Sequence, residues 1–352
     1  YHEVSLRLNT DLTNYSTVKE ARFYERIGGD ELLCLTCEKK CRIKEGSRGF
    51  CGTRVNIRGK LYTIVYGDIS SISANPIEKK PFFHFYPGTL ALTIGTWSCN
   101  FTCPWCQNYE ISKVQPDPKI SNYISPIELL NIARKNNCRG TSISFNEPTL
   151  LLEYSLDLFK LSKSQGFYNT YVSNGYMTIL ALEALVKAGL DAIKFDVKGD
   201  EETYEKYCGE IKAEIVWRNA RKAKELGLHV EIVNLVIPGV NDDEECLRRL
   251  IEEHLKNLDP SVPIHFTRYH PEYKFKAPPT PVKTLEKARE LARSMGVLFP
   301  YIGNVPGHKY ENTWCPQCGE LLIKRFGFIL VNDKTITDNK CPKCRYKIPT
   351  IR

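Results

Sequence analysis

The chain has 352 residues, of which 42% are hydrophobic and 26% charged, a composition that is typical of a folded globular protein and excludes a disordered or fibrous one. No apolar run approaches the roughly 18 residues that a membrane helix needs, and residues 1–19 are polar and mixed in charge, so we expect no membrane span, no secretory signal and a cytoplasmic location. The formal net charge of +8 arises from Lys and Arg spread along the chain, which favours a solvated basic surface over a nucleic-acid-binding block.

The cysteines give the first functional indication. There are 14 of them, and all except Cys138, Cys208 and Cys246 fall in three tight groups. Grouped thiols in a reducing compartment indicate metal binding rather than disulfides. We therefore expect this protein to bind metal.

The first group lies in a Gly- and Lys-rich stretch that is typical of loops, within residues 1–85, which we treat as an N-terminal extension. Its members are Cys34, Cys37, Cys41 and Cys51, in the spacing C-x2-C-x3-C-x9-C. Four thiolates suit either zinc or an auxiliary 4Fe-4S cluster, and the sequence leaves both open. The long last interval differs from ferredoxin-like inserts, which slightly favours zinc.

Between residues 86 and 305, short β-rich runs alternate with amphipathic helical runs. The predicted strands are 90–95, 140–145, 168–173, 191–197, 229–237 and 264–269, and the predicted helices are 126–136, 150–165, 179–188, 213–226, 242–257 and 282–294. Such alternation predicts βαβ units and a parallel sheet. The predicted fold class is α/β, a partial or full (β/α) barrel of the TIM type, with functional residues at the carboxyl ends of its strands.

The second cysteine group follows the first strand of this barrel. Cys99, Cys103 and Cys106 have the spacing C-x3-C-x2-C, with Trp105 directly before the last cysteine. Three thiolates can hold three irons of a 4Fe-4S cluster and leave the fourth iron open. S-adenosylmethionine (SAM) can chelate that iron, and one electron from the reduced cluster then yields a 5′-deoxyadenosyl radical. The alternative is a zinc site or reduced thiols, but structural zinc needs a fourth ligand.

The third group lies in residues 306–352, which read as a small separate tail. The two pairs Cys315-x2-Cys318 and Cys341-x2-Cys344 flank two predicted strands, 321–325 and 328–331. This is the pattern of a zinc ribbon, in which a four-thiolate site supplies folding free energy that so small a segment lacks. An auxiliary iron-sulfur cluster or idle thiols are the alternatives.

Polar motifs follow successive predicted strands. They are Ser144-Phe145-Asn146-Glu147-Pro148, Val172-Ser173-Asn174-Gly175, Phe195-Asp196-Val197-Lys198 and Tyr269-His270. Together with the three cysteines, these motifs resemble the radical SAM superfamily. Two positions depart from the family pattern: Phe145 and Asn146 replace the two glycines of a Gly-Gly-Glu-Pro motif, and Val172 replaces an aspartate of the activating enzymes. The second departure argues against a monovalent cation bound by that aspartate and the equivalent of Asp196.

The resemblance implies one set of SAM contacts at the second and third strands. Glu147 would accept a hydrogen bond from the SAM ammonium, with Asn146 beside it as a further SAM contact. Ser173 and Asn174 would hold the ribose.

The same resemblance implies a second set of SAM contacts, at the later strands and in the cysteine motif. Lys198, which follows Asp196, would approach the SAM carboxylate and belongs with the three cysteines to the catalytic set. Trp105 would lie near the adenine, and His270 would lie near SAM.

A narrower resemblance covers nearly the whole chain, from about Val18 to the end. It rests on segments 18–24, 41–52, 76–88 and 303–308. These resemble the radical SAM proteins of the AmmeMemoRadiSam system, which are described as pyruvate formate-lyase activating enzyme-like. The resemblance implies partnership with Memo-like and AMMECR-like proteins and with an electron donor of the ferredoxin or flavodoxin type.

Three functions remain open at this point. The first is an enzyme that abstracts hydrogen from a protein substrate, as activating enzymes do, and the second is the same chemistry on RNA or a small metabolite. The third is an iron-sulfur and zinc scaffold without turnover. A structural cluster would be closed by four protein ligands, so the three-cysteine motif favours the enzymes.

Overall fold

The computed structural model describes residues 10–352, and the expectation of no secretory signal falls partly on residues 1–9, outside that range. The described chain forms two compact units. Unit 1 contains the chain up to Ala74 together with Leu92–Asn100 and Asn108–Asp191. Unit 2 contains Asn75–Ala91, Phe101–Gln107 and Ala192–Arg352.

Unit 1 begins with two small antiparallel sheets of three strands each. The strands are β1 (Lys19–Glu20), β2 (Tyr24–Gly28), β3 (Glu31–Cys34), β4 (Arg42–Lys44), β5 (Arg54–Ile57) and β6 (Lys60–Thr63), in the orders β1-β6-β5 and β2-β3-β4. Arg58 and Gly59 join β5 to β6 with φ of +52° and +70°, as a tight type I′ hairpin turn requires. Of the first cysteine group, Cys34 ends β3, Cys37 and Cys41 lie in the loop between β3 and β4, and Cys51 lies in the loop between β4 and β5.

The rest of unit 1 alternates strands with helices. Its elements are β7 (Ser71–Pro76), β8 (Leu90–Gly95), α1 (Tyr109–Ser112), α2 (Pro126–Lys135), β9 (Gly140–Ile143), α3 (Leu152–Ser164), β10 (Tyr168–Ser173) and α4 (Ile179–Ala188), of which β7 and β8 each have two residues in unit 2. Strands β9 and β10 pair in parallel, with Gly140 opposite Tyr168. A capping box between Ser125 and Glu128 starts α2.

Unit 2 continues the same pattern. Its elements are β11 (Ala192–Asp196), α5 (Glu201–Tyr207), α6 (Ala213–Glu225), β12 (His229–Val236), α7 (Glu244–Asn257), β13 (Ile264–Arg268), α8 (Val282–Ser294) and β14 (Pro300–Gly303). Each strand from β11 to β14 pairs in parallel with the next. Nearly all residues of β11, β12 and β13 are buried on both faces, as a covered parallel sheet requires, and they include the polar side chains of Lys194, Glu231 and His265.

The tail of unit 2 is a three-stranded antiparallel sheet formed by β15 (Thr313–Trp314), β16 (Leu321–Phe326) and β17 (Ile329–Asp333). Its buried Leu322 and Ile323 belong to one apolar cluster with Phe83, Phe299 and Tyr301. The tail therefore shares a core with the strands it follows.

The α/β class and the six predicted strands and six predicted helices of the barrel are confirmed, with ends that differ by no more than two residues. The hairpin of the tail is confirmed as well. Within residues 86–305 the prediction omitted α1, α5 and β14. The segment boundaries at residues 85 and 305 stay predictions. No helix within residues 10–352 has the length and apolarity needed to cross a membrane.

Candidate active site

The loop between β8 and Cys99 is held by the side chain of Asn146. Asn146 Oδ1 accepts from the Thr96 amide at 3.0 Å, and Nδ2 donates to the Ser98 carbonyl at 2.8 Å. Ser98 has a φ of +69°, a left-handed conformation that costs a non-glycine residue free energy. Asn146 thus positions the strained turn before Cys99, and its predicted contact with SAM stays a prediction.

Phe145 keeps a glycine-like backbone although it carries an aromatic side chain. Its φ is +67°, and Asn108 Nδ2 donates to its carbonyl at 2.6 Å. Gly95, at the end of β8, makes room for it, because a Cβ there would lie 3.0 Å from the Phe145 Cβ. The chain therefore adopts a left-handed turn at Phe145 without a glycine, at a cost of conformational strain.

Glu147 is the centre of a buried hydrogen-bond network. Its Oε1 accepts from Ser173 Oγ at 2.9 Å and from the Thr149 amide at 3.1 Å, and its Oε2 accepts from the Asn174 amide at 2.8 Å. Burial raises the pKa of the Glu147 carboxyl, and the donors from Thr149, Asn174 and Ser173 oppose that rise. Since a carboxylate oxygen has two acceptor positions, Oε2 can take a further donor from a cationic ligand.

Asn174 links this network to the cysteine motif. Its Nδ2 donates to Asn100 Oδ1 at 2.7 Å, and its Oδ1 accepts from the Tyr176 amide at 3.1 Å. Asn100 directly follows Cys99 and is buried, yet within residues 10–352 its Nδ2 has no acceptor. Sequence reasoning missed Asn100, whose only signal was its place inside the motif.

Unit 2 brings Cys103 close to a fixed positive charge. Lys198 Nζ lies 3.0 Å from Asp196 Oδ1, and Cys103 Sγ lies 3.8 Å from Cys208 Sγ. Burial lowers the pKa of Lys198, but Asp196 and the thiols of Cys103 and Cys208 outweigh it and hold that pKa well above its usual value. Cys208, which stands alone in the sequence, is therefore a neighbour of the motif.

The loop that carries Lys198 is fixed by its backbone. The Lys198 amide donates to the Tyr204 hydroxyl at 3.0 Å, Asn241 Nδ2 donates to the Lys198 carbonyl, and Asn234 Nδ2 donates to the Val197 carbonyl at 2.9 Å. Tyr204 lies on α5, a helix absent from the prediction. These positioning residues carry no motif of their own, so the sequence did not reveal them.

Trp105 is buried between aromatic rings, whereas His270 is exposed. The Trp105 ring lies 5.4 Å from that of Tyr207 and 5.7 Å from that of Phe275, measured between centroids. In the described part of the chain its Nε1 has no acceptor. His270 is on the surface of unit 2, two residues beyond β13.

These residues fit an iron-sulfur cluster and SAM. No disulfide engages any cysteine of the described chain, so the three thiols of the motif are available to metal. In unit 1 the buried Glu147 carboxylate would suit an ammonium group, and in unit 2 the Lys198 ammonium would suit a carboxylate. The buried Trp105 Nε1 lacks an acceptor among the described residues, and a polar ligand would satisfy it.

The cysteines of the tail form a compact four-thiol site. The Sγ atoms of Cys315, Cys318, Cys341 and Cys344 all lie within 4.8 Å of one another, with 3.5 Å between Cys315 and Cys344. Tetrahedral zinc with bonds of about 2.3 Å requires sulfurs about 3.8 Å apart, so the tail could hold one metal ion. In unit 1, Cys34, Cys37, Cys41 and Cys51 line one common cavity.

Known proteins share this sequence pattern. The model of the radical SAM superfamily matches residues 94–251. The uncharacterized protein MJ0808 of Methanocaldococcus jannaschii is 40% identical over 336 residues, which cover 95% of this chain and 100% of that one. The pyruvate formate-lyase-activating enzyme of Staphylococcus epidermidis is 24% identical over 194 residues, 52% of this chain and 76% of that enzyme. The GTP 3′,8-cyclase of Desulforamulus reducens is 28% identical over 172 residues, 47% of this chain and 50% of the cyclase.

Proposed function

Because the chain belongs to the radical SAM superfamily, we propose that it abstracts hydrogen from a substrate, with Cys99, Cys103 and Cys106 as the cluster ligands. The observation that carries the proposal is a buried hydrogen-bond network. Glu147 accepts from Ser173 and Asn174, and the Asn174 side chain donates to Asn100, the neighbour of Cys99. A buried carboxylate with a remaining acceptor position, tied to a cluster ligand, suits the ammonium of SAM.

A 4Fe-4S cluster, when bound and reduced, supplies the electron that cleaves SAM to a 5′-deoxyadenosyl radical. The residues of this chain bind and orient. In unit 1, Glu147 would bind the ammonium of SAM, and Ser173 and Asn174 would hold the ribose. In unit 2, Lys198 would face the SAM carboxylate. Asn146 fixes the turn before Cys99, and Trp105 offers its buried Nε1 and its ring to the adenine.

We propose a protein as the substrate, as for the activating enzyme of Staphylococcus epidermidis, and a one-electron donor of the ferredoxin or flavodoxin type as partner. Memo-like and AMMECR-like proteins are further candidate partners. For the four thiols of the tail we propose zinc. The similarity to a GTP 3′,8-cyclase supports a second candidate, the same chemistry on a small nucleotide or RNA.

Anaerobic reconstitution with iron, sulfide, SAM and dithionite tests the proposal against a scaffold without turnover. We expect 5′-deoxyadenosine to form. Its absence from protein with an intact cluster would defeat both enzyme candidates.

The cluster assignment is tested by Cys103→Ala. This variant should lose the SAM cluster and all 5′-deoxyadenosine formation while the metal of the tail stays bound, as iron and zinc analysis would reveal. The matched control is Cys138→Ala, which removes a buried thiol outside every group. SAM cleavage by Cys103→Ala would show that the assignment is wrong.

The substrate class is tested by isotope transfer. Candidate proteins and nucleotides deuterated at the target carbon are incubated with the reconstituted enzyme, and deuterium is sought in 5′-deoxyadenosine by mass spectrometry. Transfer from a protein supports the first candidate. Transfer from a nucleotide, or RNA binding with a steep salt dependence, supports the second.

A further inference from the structure

We propose that Cys34, Cys37, Cys41 and Cys51 hold an iron-sulfur cluster and not a zinc ion. The four cysteines line a single cavity in unit 1, together with Thr36, Arg54 and Asn100. This inference concerns a second metal site and does not depend on the reaction proposed above.

The spacing of the thiols separates the two metals. Within residues 10–352, the one group of three or more Cys, His, Asp or Glu whose ligand atoms lie within 4.8 Å of one another is the tail group. The N-terminal thiols are therefore too far apart for the sulfur separations of about 3.8 Å around a single zinc ion. A cluster distributes its four thiolates over several irons, so it needs the wider arrangement.

Backbone hydrogen bonds order the segments that carry these cysteines. The Cys34 amide donates to the Cys41 carbonyl at 2.9 Å, and the Glu38 amide, next to Cys37, donates to the Tyr176 carbonyl at 2.9 Å. Near Cys51, the Gly49 amide donates to the Arg54 carbonyl at 2.9 Å. Each cysteine is thus tied to a hydrogen-bonded segment of unit 1.

Two buried donors without acceptors belong to residues that line the same cavity. Arg54 and Asn100 are each 99% buried, and Arg54 Nε and Asn100 Nδ2 have no hydrogen-bond partner among the described residues, while the Thr36 side chain bonds the Cys34 thiol. A buried N–H or O–H group without an acceptor destabilises the fold. Bridging sulfides of a cluster accept such hydrogen bonds, whereas a zinc ion brings no acceptor of its own.

A buried cationic side chain also lies at the site. Four thiolates make the site anionic, and the Arg54 guanidinium lies in its wall, held by Glu153 Oε2 at 2.7 Å from Nη1. The Cys41 and Cys51 sulfurs are already in contact with the Phe50 amide at 3.5 Å and Thr53 Oγ1 at 3.1 Å. Since four thiolates close the cluster, no iron is open to substrate, and its chemistry is reversible one-electron transfer.

The site adjoins the candidate SAM site within unit 1. Asn100 lines the cavity and follows Cys99, and the segment after Asn174 bonds to residues 35–38, with Thr178 Oγ1 donating to the Leu35 carbonyl at 2.7 Å. A cluster here would lie beside the ligand loop of the first one.

The full chain with Cys99, Cys103 and Cys106 changed to Ala tests the proposal, because any remaining cluster must lie elsewhere. After anaerobic reconstitution with iron and sulfide, we expect equal iron and sulfide, about four of each for 4Fe-4S or about two for 2Fe-2S, and about one zinc from the tail. An electron paramagnetic resonance signal should appear on reduction with dithionite. About two zinc per chain without iron would overturn the proposal.

The location is tested by adding Cys37→Ala and Cys51→Ala in the same background. Iron, sulfide and the signal should vanish while the zinc of the tail stays, and the retained zinc together with the thermal unfolding curve shows that the chain has folded. Adding Cys138→Ala instead should change nothing. Iron and sulfide that persist without Cys37 and Cys51 would overturn the assignment.

Thr36→Val tests the site without touching a ligand. The change is close to isosteric and removes a hydroxyl that bonds the Cys34 thiol. Hydrogen bonds to cluster sulfur raise the reduction potential, so the midpoint potential should become more negative at unchanged iron content. An unchanged potential would contradict this arrangement of the cluster.

Discussion

Because the Glu147 carboxyl is buried, we expect SAM binding to depend on pH. Burial raises the pKa of its carboxyl, so the folded protein takes up this proton nearer to neutral pH than an exposed glutamate does. Only the ionised carboxylate attracts the SAM ammonium. We therefore expect SAM affinity to be full above the raised pKa and to fall as the pH drops through it, as measured by equilibrium dialysis of the reconstituted protein.

Glu147→Gln should weaken SAM binding and remove this pH dependence. A hydrogen bond to a charged group contributes about 1.5–3 kcal/mol, which corresponds to roughly a tenfold to hundredfold loss of affinity. The cluster should remain, because Glu147 is no metal ligand. Glu290→Gln, which changes an exposed carboxylate, is the control. Unaltered affinity in Glu147→Gln would remove this residue from the SAM site.

At the level of elements, strands and helices followed from hydrophobic periodicity where they were long. The helix α4 at Ile179–Ala188 has an N-cap at Thr178 and a left-handed Gly189 at its end, so both ends could be located. The helix α5 has seven residues and buries only Thr203 and Tyr204, and β14 has four residues, so neither gave a periodic signal.

The residues of the candidate site also divide into those that the sequence predicted and those that it did not. Cys99, Glu147 and Lys198 lie in sequence motifs that indicate their functions, and the cysteine spacing predicted metal binding from the sequence alone. Asn100, Cys208 and Asn241 act through contacts between residues distant in the sequence, such as the 3.8 Å between Cys208 and Cys103. Such contacts exist only after folding, and no local pattern encodes them.

Strand β12 is joined to a neighbouring segment through one buried carboxylate. Glu231 accepts from the Phe83 and His84 amides at 2.9 and 2.8 Å, and from His229 and His265 Nε2 at 2.9 and 2.7 Å. Burial by itself would raise the pKa of Glu231, but the bonds from His229 and His265 hold it well below the usual range. A depressed pKa stabilises the fold above the unfolded-state value, and this stability is lost as the pH falls below about 4.5.

Glu231→Gln should therefore lower stability at neutral pH by about 3 kcal/mol or more, because it removes one charge from a buried network. Its stability should also change less with acidification than that of the wild type. Thermal unfolding followed by circular dichroism between pH 3 and 7 measures both effects. Glu225→Gln, which breaks an exposed pair with Arg221, should shift stability by less than about 1 kcal/mol. Equal losses in the two variants would contradict the role of Glu231.

At the scale of the whole molecule, the packing of the tail decides which other elements a metal ion bound by its four thiols would stabilise. The thiols of the tail belong to the apolar cluster that contains Phe83, Phe299 and Tyr301, and Arg325 Nη2 donates to the Phe83 carbonyl at 2.9 Å. The Arg325 guanidinium also lies 4.1 Å from the centre of the Phe83 ring. A structural metal contributes folding free energy, so its loss should loosen everything that shares this core.

The double variant Cys318→Ser/Cys344→Ser should lose about one zinc per chain and unfold at a lower temperature. Hydrogen exchange should then show reduced protection in the tail and also in β14 and around Phe83, because both pack against Leu322 and Ile323. Cys246→Ser, on α7 outside this cluster, is the matched control and should leave zinc and protection unchanged. A loss of protection confined to residues 313–350 would mean that the tail folds on its own metal without supporting the strands beneath it.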